Sequence, residues 1–352
     1  MLCLACGVPL SLFAQGETPL LFESDAVLEL AMPIDFDELC RPSQDPDCDF
    51  APYSFDYRDA AGDWNTLPIE LMRRDGWRAQ YTNCRIPTLF VRFDPENTPG
   101  TPFEGLTTLA LTSHCGKGVV VEGGRSIELP SDFEPYVINE YLGYRLYNVL
   151  SEASLRVRLA RIQYTDPTNP RLSITRDAFF AEHFESLARR NGAKLLSGNR
   201  FDPEKLDFEA AGQVSLFQFM IGNTDWSIEA QDNIILLEME DGRQVPVLYD
   251  LDQSGLVNAH YAEPRADMPI RSVRQRLFLG HCYPDFDWDA LFGQFIGSET
   301  EMKIVLSQAP GLRRGDRRIA GVYLDEFFDL LVRVKDRQIQ VVDACRPWPP
   351  ET

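Results

Sequence analysis

Three side chains with complementary chemistry lie close together in this 352-residue chain, between Met220 and Leu256. They are Asp225, Asn233 and Asp250. A carboxylate such as Asp225 can orient or deprotonate a hydroxyl group that attacks another molecule. An amide and a second carboxylate, here Asn233 and Asp250, supply the oxygen ligands that Mg²⁺ prefers, with phosphates and water completing its coordination shell. The three residues therefore predict metal-assisted chemistry at phosphate groups.

The pattern around these residues predicts a helix, a loop and a β-hairpin that would bring them together. Apolar residues at helical spacing predict a helix that ends at Gly222: Val214, Phe217, Met220 and Ile221. The apolar run that begins at Asn233 predicts a buried strand, Asp241-Gly242 predicts a tight turn, and residues 245–249 predict the returning strand. The first acid would then lie in the loop before the hairpin, and the second acid where the returning strand ends.

Further elements are expected to frame this unit. Apolar spacing predicts a helix over Phe133–Leu150 that carries Glu140, and strict alternation predicts a strand over Leu155–Tyr164. Residues Ala178–Arg190 are predicted to be helical after a short strand. The region past Met302 is expected to be mostly helical.

Each candidate residue also has a simpler explanation when it is taken alone. Asn, Asp and Gly are frequent in turns because their side chains bond the local backbone or tolerate its conformation. A calcium-binding loop is a second alternative, but the spacing does not follow the D-x-[DN]-x-[DN]-G pattern. Asp250-Leu-Asp252 is also similar to the short acidic motif of nucleotide-sugar transferases, which leaves a sugar-binding or sugar-modifying protein as a further alternative.

The chemistry-bearing residues carry a resemblance to a known family. Ile221-Gly-Asn-Thr-Asp225 and Tyr249-Asp-Leu-Asp252, with Asn233 between them, resemble the core of atypical kinases of the spore coat protein H (CotH) type. They are more distantly similar to toxin kinases of the HipA type. The resemblance covers roughly residues 85 to 260, and the wider sequence looks like an uncharacterised group of exported bacterial proteins with this core.

The resemblance implies an α+β fold with a bilobal, protein-kinase-like core and an N-terminal antiparallel β region. By residue, Asp225 matches the catalytic acid, and Asn233 and Asp250 match the metal-binding amide and acid. Glu140 matches the helix glutamate that pairs with a phosphate-binding lysine. The implied cofactors are Mg²⁺ and ATP, and the implied reaction transfers a phosphoryl group to a hydroxyl of an unknown protein or small molecule.

The chain departs from the family pattern at the strand where that lysine belongs. Residues 106–113 contain no lysine, and Thr108 and Ala110 occupy the matching positions. Lys117, in the following turn, is the nearest candidate for binding the nucleotide phosphates. Because a missing lysine removes a charge that positions phosphates, the sequence also supports an alternative: a catalytically inactive kinase-like module for surface or coat interactions.

Charge and motifs narrow the function classes. The formal net charge of −20, from 54 acidic and 34 basic residues, argues against nucleic acid as a partner, because phosphate backbones are bound by clustered Lys and Arg. A nucleotide would depend on metal and on local basic residues such as Arg156, Arg158 or Arg161. The chain contains no Gly-x-Ser-x-Gly or His-Glu-x-x-His motif, so hydrolase and zinc-protease classes have no support.

Composition along the chain predicts four segments. Residues 1–15 resemble the apolar core and cleavage site of a signal peptide, without its positively charged start, and predict an exported protein that is periplasmic, cell-surface or secreted. Residues 16–105 are expected to form the N-terminal β region, 106–200 an upper-lobe-like α+β segment, and 201–352 a helical lower-lobe-like segment with the catalytic hairpin. No segment is long and apolar enough to predict a transmembrane helix.

The cysteines are compatible with export. Removal of Cys3 and Cys6 with the signal peptide leaves six, without a C-x-x-C motif or the Cys/His spacing of a zinc site. Among about fifteen ways to pair six cysteines, their positions favour three pairs: Cys40–Cys48, Cys84–Cys115 and Cys282–Cys345. Six buried free thiols in a cytosolic protein are the alternative.

Overall fold

The computed structural model describes most of the chain. The described residues are 18–40, 45, 47–75, 78, 84–116, 119–122, 125–128, 133–169, 171, 173–198 and 200–350. The predicted signal peptide, residues 1–15, and the candidate phosphate ligand Lys117 lie outside the described residues.

Strands dominate the first half of the described chain and helices the second. The strands are β1 (Leu28–Pro33), β2 (Ala51–Arg58), β3 (Trp64–Arg73), β4 (Leu89–Arg92), β5 (Thr108–Thr112), β6 (Val119–Glu122), β7 (Arg125–Glu128), β8 (Val157–Thr165), β9 (Ser173–Glu182), β10 (Lys194–Leu195), β11 (Ile234–Glu238) and β12 (Gln244–Leu248). The α-helices are α1 (Glu134–Asn148), α2 (Phe184–Arg190), α3 (Phe208–Ile221), α4 (Trp288–Gln308), α5 (Arg314–Val332) and α6 (Val334–Arg337).

Seven strands form a closed barrel in the order β1-β2-β3-β4-β5-β9-β8. Neighbouring strands are antiparallel, except that β1 and β8 run parallel and close the barrel. Leu28, Leu30 and Met32 on β1 are buried and alternate with more exposed residues, because successive side chains of a strand point to opposite faces. The inward-facing side chains form one large core, in which the rings of Phe93 and Phe103 stack with centroids 5.0 Å apart.

A second large core joins the outside of the barrel to the helices. Helix α1 packs on β8 and β9, and α3 packs on β12, α4 and α5. The start of α3 is capped by Asp207, whose carboxylate accepts a hydrogen bond from the backbone N–H of Ala210 at 2.9 Å. The helix ends at Gly222, which adopts the left-handed conformation (φ 66°) that favours glycine. The chain therefore leaves α3 sharply, immediately before Asp225.

The predicted fold class is wrong. The structure has a closed seven-stranded mixed barrel with helices packed on it, and not a bilobal kinase-like core with a helical lower lobe and a separate antiparallel region. Strands on both sides of residue 105 belong to the same barrel. The error has a physical cause: Leu28 pairs with Ala160 in the parallel closure of β1 on β8, and periodicity predicts that a strand exists but not which distant strand it pairs with.

Local predictions were more successful, with one exception. The helix over 133–150 and the hairpin around Asp241-Gly242 are confirmed as α1 and the β11–β12 pair. The helix predicted over Ala178–Arg190 is wrong in its first part, because residues 178–182 belong to β9 and α2 begins at Phe184. Residues 177–182 are buried on both faces of the strand, and a continuous apolar run does not distinguish a buried strand from a helix.

The three predicted cysteine pairs are disulfides in the structure: Cys40–Cys48, Cys84–Cys115 and Cys282–Cys345. The pairing prediction is therefore confirmed. Across the described ranges, no helix has the length and apolar character needed to cross a membrane.

Candidate functional site

A cleft of about 650 Å³ lies between one outer face of the barrel and the loops around the β11–β12 hairpin. Phe90 on β4, Ala110 on β5 and Ala181 on β9 are aligned across neighbouring strands and form an apolar wall. They face outward because their neighbours in each strand point into the barrel core. Four of the predicted site residues line the same cleft: Glu140, Asp225, Asn233 and Asp250.

Asp225 and Asn233 form a pair at one side of the cleft. The side-chain amide of Asn233 donates to the carboxylate of Asp225 at 3.1 Å and to its backbone carbonyl at 2.7 Å. The backbone N–H of Asp225 in turn donates to the side chain of Asn223 at 3.0 Å. Burial raises the pKa of the Asp225 carboxyl, and the nearby carboxylates of Asp232 and Asp252 raise it further. The side chain is therefore held in one orientation and is more basic than an exposed aspartate.

Backbone conformation marks Asn233 and Asp250 as unusual positions. Both adopt left-handed conformations, with φ of 51° and 54°, which non-glycine residues rarely adopt and which Asn and Asp tolerate best. The backbone N–H of Tyr249 donates to the carbonyl of Asn233 at 3.0 Å, so the two positions bracket the hairpin. The N–H of Asp250 donates to the hydroxyl of Tyr144 on α1 at 2.8 Å. Such conformations cluster at functional sites because surrounding contacts must hold them.

Arg78 is a partly buried cation of this cleft that the sequence analysis did not predict. Its guanidinium donates to Asp252 at 2.9 Å, to the Tyr261 hydroxyl at 3.0 Å and to Glu140 at 3.4 Å. The Tyr261 hydroxyl also donates to the same oxygen of Asp252, at 2.8 Å. Glu140 thus pairs with an arginine from a segment before β4, and not with a lysine on β5. Arg74, which also lines the cleft, adds a second basic group.

Two carboxyl groups of the cleft, those of Glu140 and Asp250, have strongly raised pKa values. Burial raises the pKa of Glu140 to about 8, with Asp250 and Asp252 raising it and Arg78 opposing them. Burial likewise raises the pKa of Asp250 to about 6, again with Asp252 adding to the effect and Arg78 opposing it. Both shifts have the same origin: several acidic groups share a poorly solvated space with few cations. A bound cation would favour their ionised forms.

The arginines proposed from the sequence serve other parts of the molecule and do not line the cleft. Arg156 pairs with Glu152, and Arg161 donates to Asp177 at 2.9 Å on the barrel surface. Arg158 donates to backbone carbonyls of the segment before β1. No local signal distinguished Arg78 from these residues, because its partners Glu140, Asp252 and Tyr261 are distant in sequence.

Asp250 and Asn233, which line the cleft, carry oxygen donors of the kind that Mg²⁺ takes. Within the described residues, no group of three or more His, Cys, Asp and Glu side chains has the arrangement of a preformed metal site. Mg²⁺ commonly takes one or two protein carboxylates and completes its shell with phosphate oxygens and water, so a cluster of three is not required.

Close packing fixes the loop that carries Asp250. A Cβ atom at Gly143 on α1 would lie 2.9 Å from a terminal methyl of Leu251, so a larger residue at this position would require the Leu251 side chain to shift. At the other end of the loop, Gly255 donates from its N–H to the carbonyl of Gly222 at 3.1 Å. Both of these glycines contact the hydroxyl of Tyr323 on α5 so closely that a Cβ at either would clash with it. The C-terminal end of α3 and the loop after β12 are therefore hydrogen-bonded to one another, and both pack tightly against α5.

No family model, no curated protein and no solved structure matches this chain. The class of protein is thus defined by the molecule's own features. It is a closed mixed barrel packed on helices, with a cleft between them that has an apolar wall and an acidic side.

Proposed function

We propose that this protein is an exported phosphotransferase that binds a nucleotide, expected to be ATP, together with Mg²⁺ in this cleft. Its acceptor would be a hydroxyl group of a protein or of a small molecule. The observation that carries the proposal is the convergence of the Asp225–Asn233 pair, Asp250 and the cation Arg78 on one cleft. Because the kinase-like fold is excluded, the proposal depends on these side chains alone.

Each side chain has a role that follows from its position. Asp250 and Asn233 would hold the metal ion, which supplies charge neutralisation at the phosphate oxygens when it is bound. Arg78 lies close to Asp252 and Glu140 and would contribute the positive charge that the missing lysine does not. Asp225 is oriented by Asn233 and has a raised pKa, which suits it to accept the proton of an acceptor hydroxyl.

The apolar wall gives the same cleft a place for a base or another flat group. Phe90, Ala110 and Ala181 lie side by side on neighbouring strands, and the guanidinium of Arg74 lies 5.5 Å from the centre of the Phe90 ring. Phe184 and Tyr249 pack against each other at its margin, with ring centroids 5.1 Å apart. A ligand with one apolar end and one phosphorylated end would match the two halves of the cleft.

One observation favours a second candidate, an inactive interaction module. Arg78 has three partners within the protein itself: Asp252, Glu140 and Tyr261. A cation satisfied in this way stabilises the cleft without a nucleotide. The two candidates differ in whether the nucleotide binds and reacts.

Calorimetric titration with Mg²⁺–ATP and an assay of phosphate transfer to a generic protein acceptor separate them. We expect Asp250→Asn to weaken nucleotide binding at least about tenfold, since it removes the anionic metal ligand. Asp225→Asn should retain binding and lose about 100-fold or more in turnover. The matched control is Asp241→Asn, which makes the same change at the exposed turn of the hairpin. Absence of both heat and transfer with wild-type protein at millimolar nucleotide would refute the phosphotransferase.

A further inference from the structure

The tip of the loop between Asp225 and Asn233 contacts His281, a residue held by the C-terminal segment. Ser227 and Asp232 exchange backbone hydrogen bonds of 2.9 and 3.0 Å, which closes the loop. Inside this closed loop, the carboxylate of Glu229 accepts from the Ser227 hydroxyl at 2.7 Å and contacts Nε2 of His281. This contact spans 52 residues of sequence and joins the candidate catalytic loop to a different part of the fold.

The contact between Glu229 and His281 is built into a poorly solvated site. The side chain of His281 is 5% exposed and that of Glu229 is 21% exposed. The other ring nitrogen of His281 lies 2.8 Å from the carbonyl oxygen of Pro347, so both ring nitrogens face oxygen acceptors. The guanidinium of Arg346 lies 4.0 Å from Oε1 of Glu229, the carboxylate oxygen that His281 contacts. Despite burial, which acts in the opposite direction, the hydrogen bonds from His281 and Ser227 lower the pKa of Glu229 to about 2.

His281 is itself anchored by the C-terminal segment. The neighbouring Cys282 forms a disulfide with Cys345, and its N–H donates to the carbonyl of Arg346 at 2.8 Å. The N–H of Arg346 donates to the carbonyl of Gly280 at 2.9 Å, so the two segments form a short parallel bridge around His281. The ring of Trp348 packs on that of His281 with centroids 5.3 Å apart. A rotation of the imidazole would therefore break several contacts at once.

We propose that Glu229 and His281 are positioning residues that hold the loop bearing Asp225 and Asn233 against the cleft, with the Cys282–Cys345 disulfide as their anchor. The geometry supports this because the loop has no regular secondary structure of its own between α3 and β11. Trp226 and Ile228 of the same loop are buried in the main core, and Gln231 accepts from the backbone N–H of Arg200 at 3.1 Å. The Glu229–His281 contact adds a charged link from the tip to the C-terminal segment. The catalytic part of this inference rests on the proposed phosphotransferase function, whereas the structural part does not.

Hydrogen–deuterium exchange tests the structural part without reference to activity. In Glu229→Gln and in His281→Ala, we expect the amides of residues 225–233 to exchange at least about tenfold faster, while those of α3 remain unchanged. The matched control is Glu240→Gln, which removes the same charge at the exposed hairpin turn. Unchanged exchange at residues 225–233 in both variants would overturn the proposal, whether or not the protein is an enzyme.

Steady-state kinetics test the catalytic part. Because small displacements of a positioned group reduce turnover strongly, we expect kcat of Glu229→Gln to fall about 10- to 100-fold while KM for Mg²⁺–ATP changes less than about twofold. His281→Gln keeps a side-chain donor and should recover part of the activity lost in His281→Ala. Wild-type activity in Glu229→Gln would overturn the catalytic part of the inference. An inactive wild type would instead count against the proposed function, and the exchange experiment would still decide the structural part.

The disulfide provides a final comparison. A Cys282→Ser/Cys345→Ser double variant should show the same lowered kcat and faster exchange at residues 225–233. The control is the Cys40→Ser/Cys48→Ser double variant, which removes a disulfide from the loop between β1 and β2. Equal kcat and equal exchange at residues 225–233 in the two double variants would show that the Cys282–Cys345 disulfide does not anchor the loop.

Discussion

Replacement of Arg78 by methionine should destabilise the protein, and the effect should grow with pH. The substitution keeps a long side chain but removes the cation that contacts Glu140 and Asp252. The side chains of these two acids are only 4% and 15% exposed, and that of Arg78 is 13% exposed. Loss of one partner from such a buried pair typically costs about 3–5 kcal/mol, because an uncompensated charge remains. Since Glu140 can take up a proton, we expect a smaller loss of about 2–4 kcal/mol near pH 8.

The sign of the pH dependence follows from the carboxyl groups. The pKa of Glu140 is raised by burial from 4.5 to about 8, and that of Asp250 from 3.8 to about 6. A group whose pKa is raised in the folded state contributes stability below its unfolded pKa and loses that contribution as the pH rises through the folded value. Arg78 opposes both shifts, so its removal makes ionisation in the folded protein less favourable still. The loss caused by Arg78→Met should therefore be about 1 kcal/mol at pH 5 and largest above pH 8.

Urea unfolding of the full chain at pH 5, 7 and 8.5 measures this difference. The control is Arg58→Met, which breaks an ion pair with Glu29 whose side chains are 48% and 45% exposed; it should cost less than about 1 kcal/mol. A second substitution, Glu140→Met, should restore part of the stability lost in Arg78→Met, because it removes an unpaired buried carboxyl. A loss below about 0.5 kcal/mol at every pH, or equal losses at pH 5 and 8.5, would refute the proposed role of Arg78 as the counter-ion of the cleft.

Three further predictions concern the contacts around the site. Glu229→Gln should flatten the acid limb of the stability profile, because the lowered pKa of Glu229 makes its contribution present above pH 4.5 and lost as the pH falls towards about 2; an unchanged profile in urea unfolding between pH 2 and 5 would contradict this. Gly222→Ala should cost about 2–4 kcal/mol, because its Cβ would lie 2.1 Å from the Tyr323 hydroxyl at a φ of 66°, and Tyr323→Phe in the same chain should recover part of the loss by thermal unfolding. Loss of the Cys282–Cys345 disulfide should cost up to about 4 kcal/mol by loop closure, given its separation of 63 residues; a melting temperature unchanged by Cys282→Ser/Cys345→Ser would count against it.

The sequence predicted the part of the site whose signals are local. Asp225, Asn233 and Asp250 lie within one helix–loop–hairpin unit. The glycine after α3 is a strong local signal for the end of a helix, and Asp-Gly is a strong local signal for a tight turn. Their placement at one cleft follows from a few residues of backbone. Arg78 has no such signal, since it reaches Asp252 across 174 residues from a segment without regular pattern. A contact of this kind depends on the barrel's closure, which periodicity does not encode.

The barrel itself shows the same limit. The alternation over Leu155–Tyr164 predicts a strand, which the structure confirms as β8. Its parallel pairing with β1 requires the chain between the two strands to complete the rest of the barrel. The expected kinase-like lobes were carried over from a resemblance that covers roughly residues 85 to 260, a range that includes β8 but not β1. The apolar wall of the cleft was likewise not predicted, because Phe90, Ala110 and Ala181 meet only through strand pairing.

The left-handed conformations of Asn233 and Asp250 determine which substitutions are informative. Alanine at either position would remove the functional side chain and also strain the backbone, because a φ of 51° or 54° is unfavourable for residues other than Gly, Asn and Asp. Loss of binding in an alanine variant would therefore not distinguish metal ligation from a displaced hairpin. Asp250→Asn keeps a residue that tolerates this conformation and changes only the charge. The hydrogen bond from its backbone N–H to Tyr144 is retained as well, so a loss of nucleotide binding in this variant is attributable to the carboxylate.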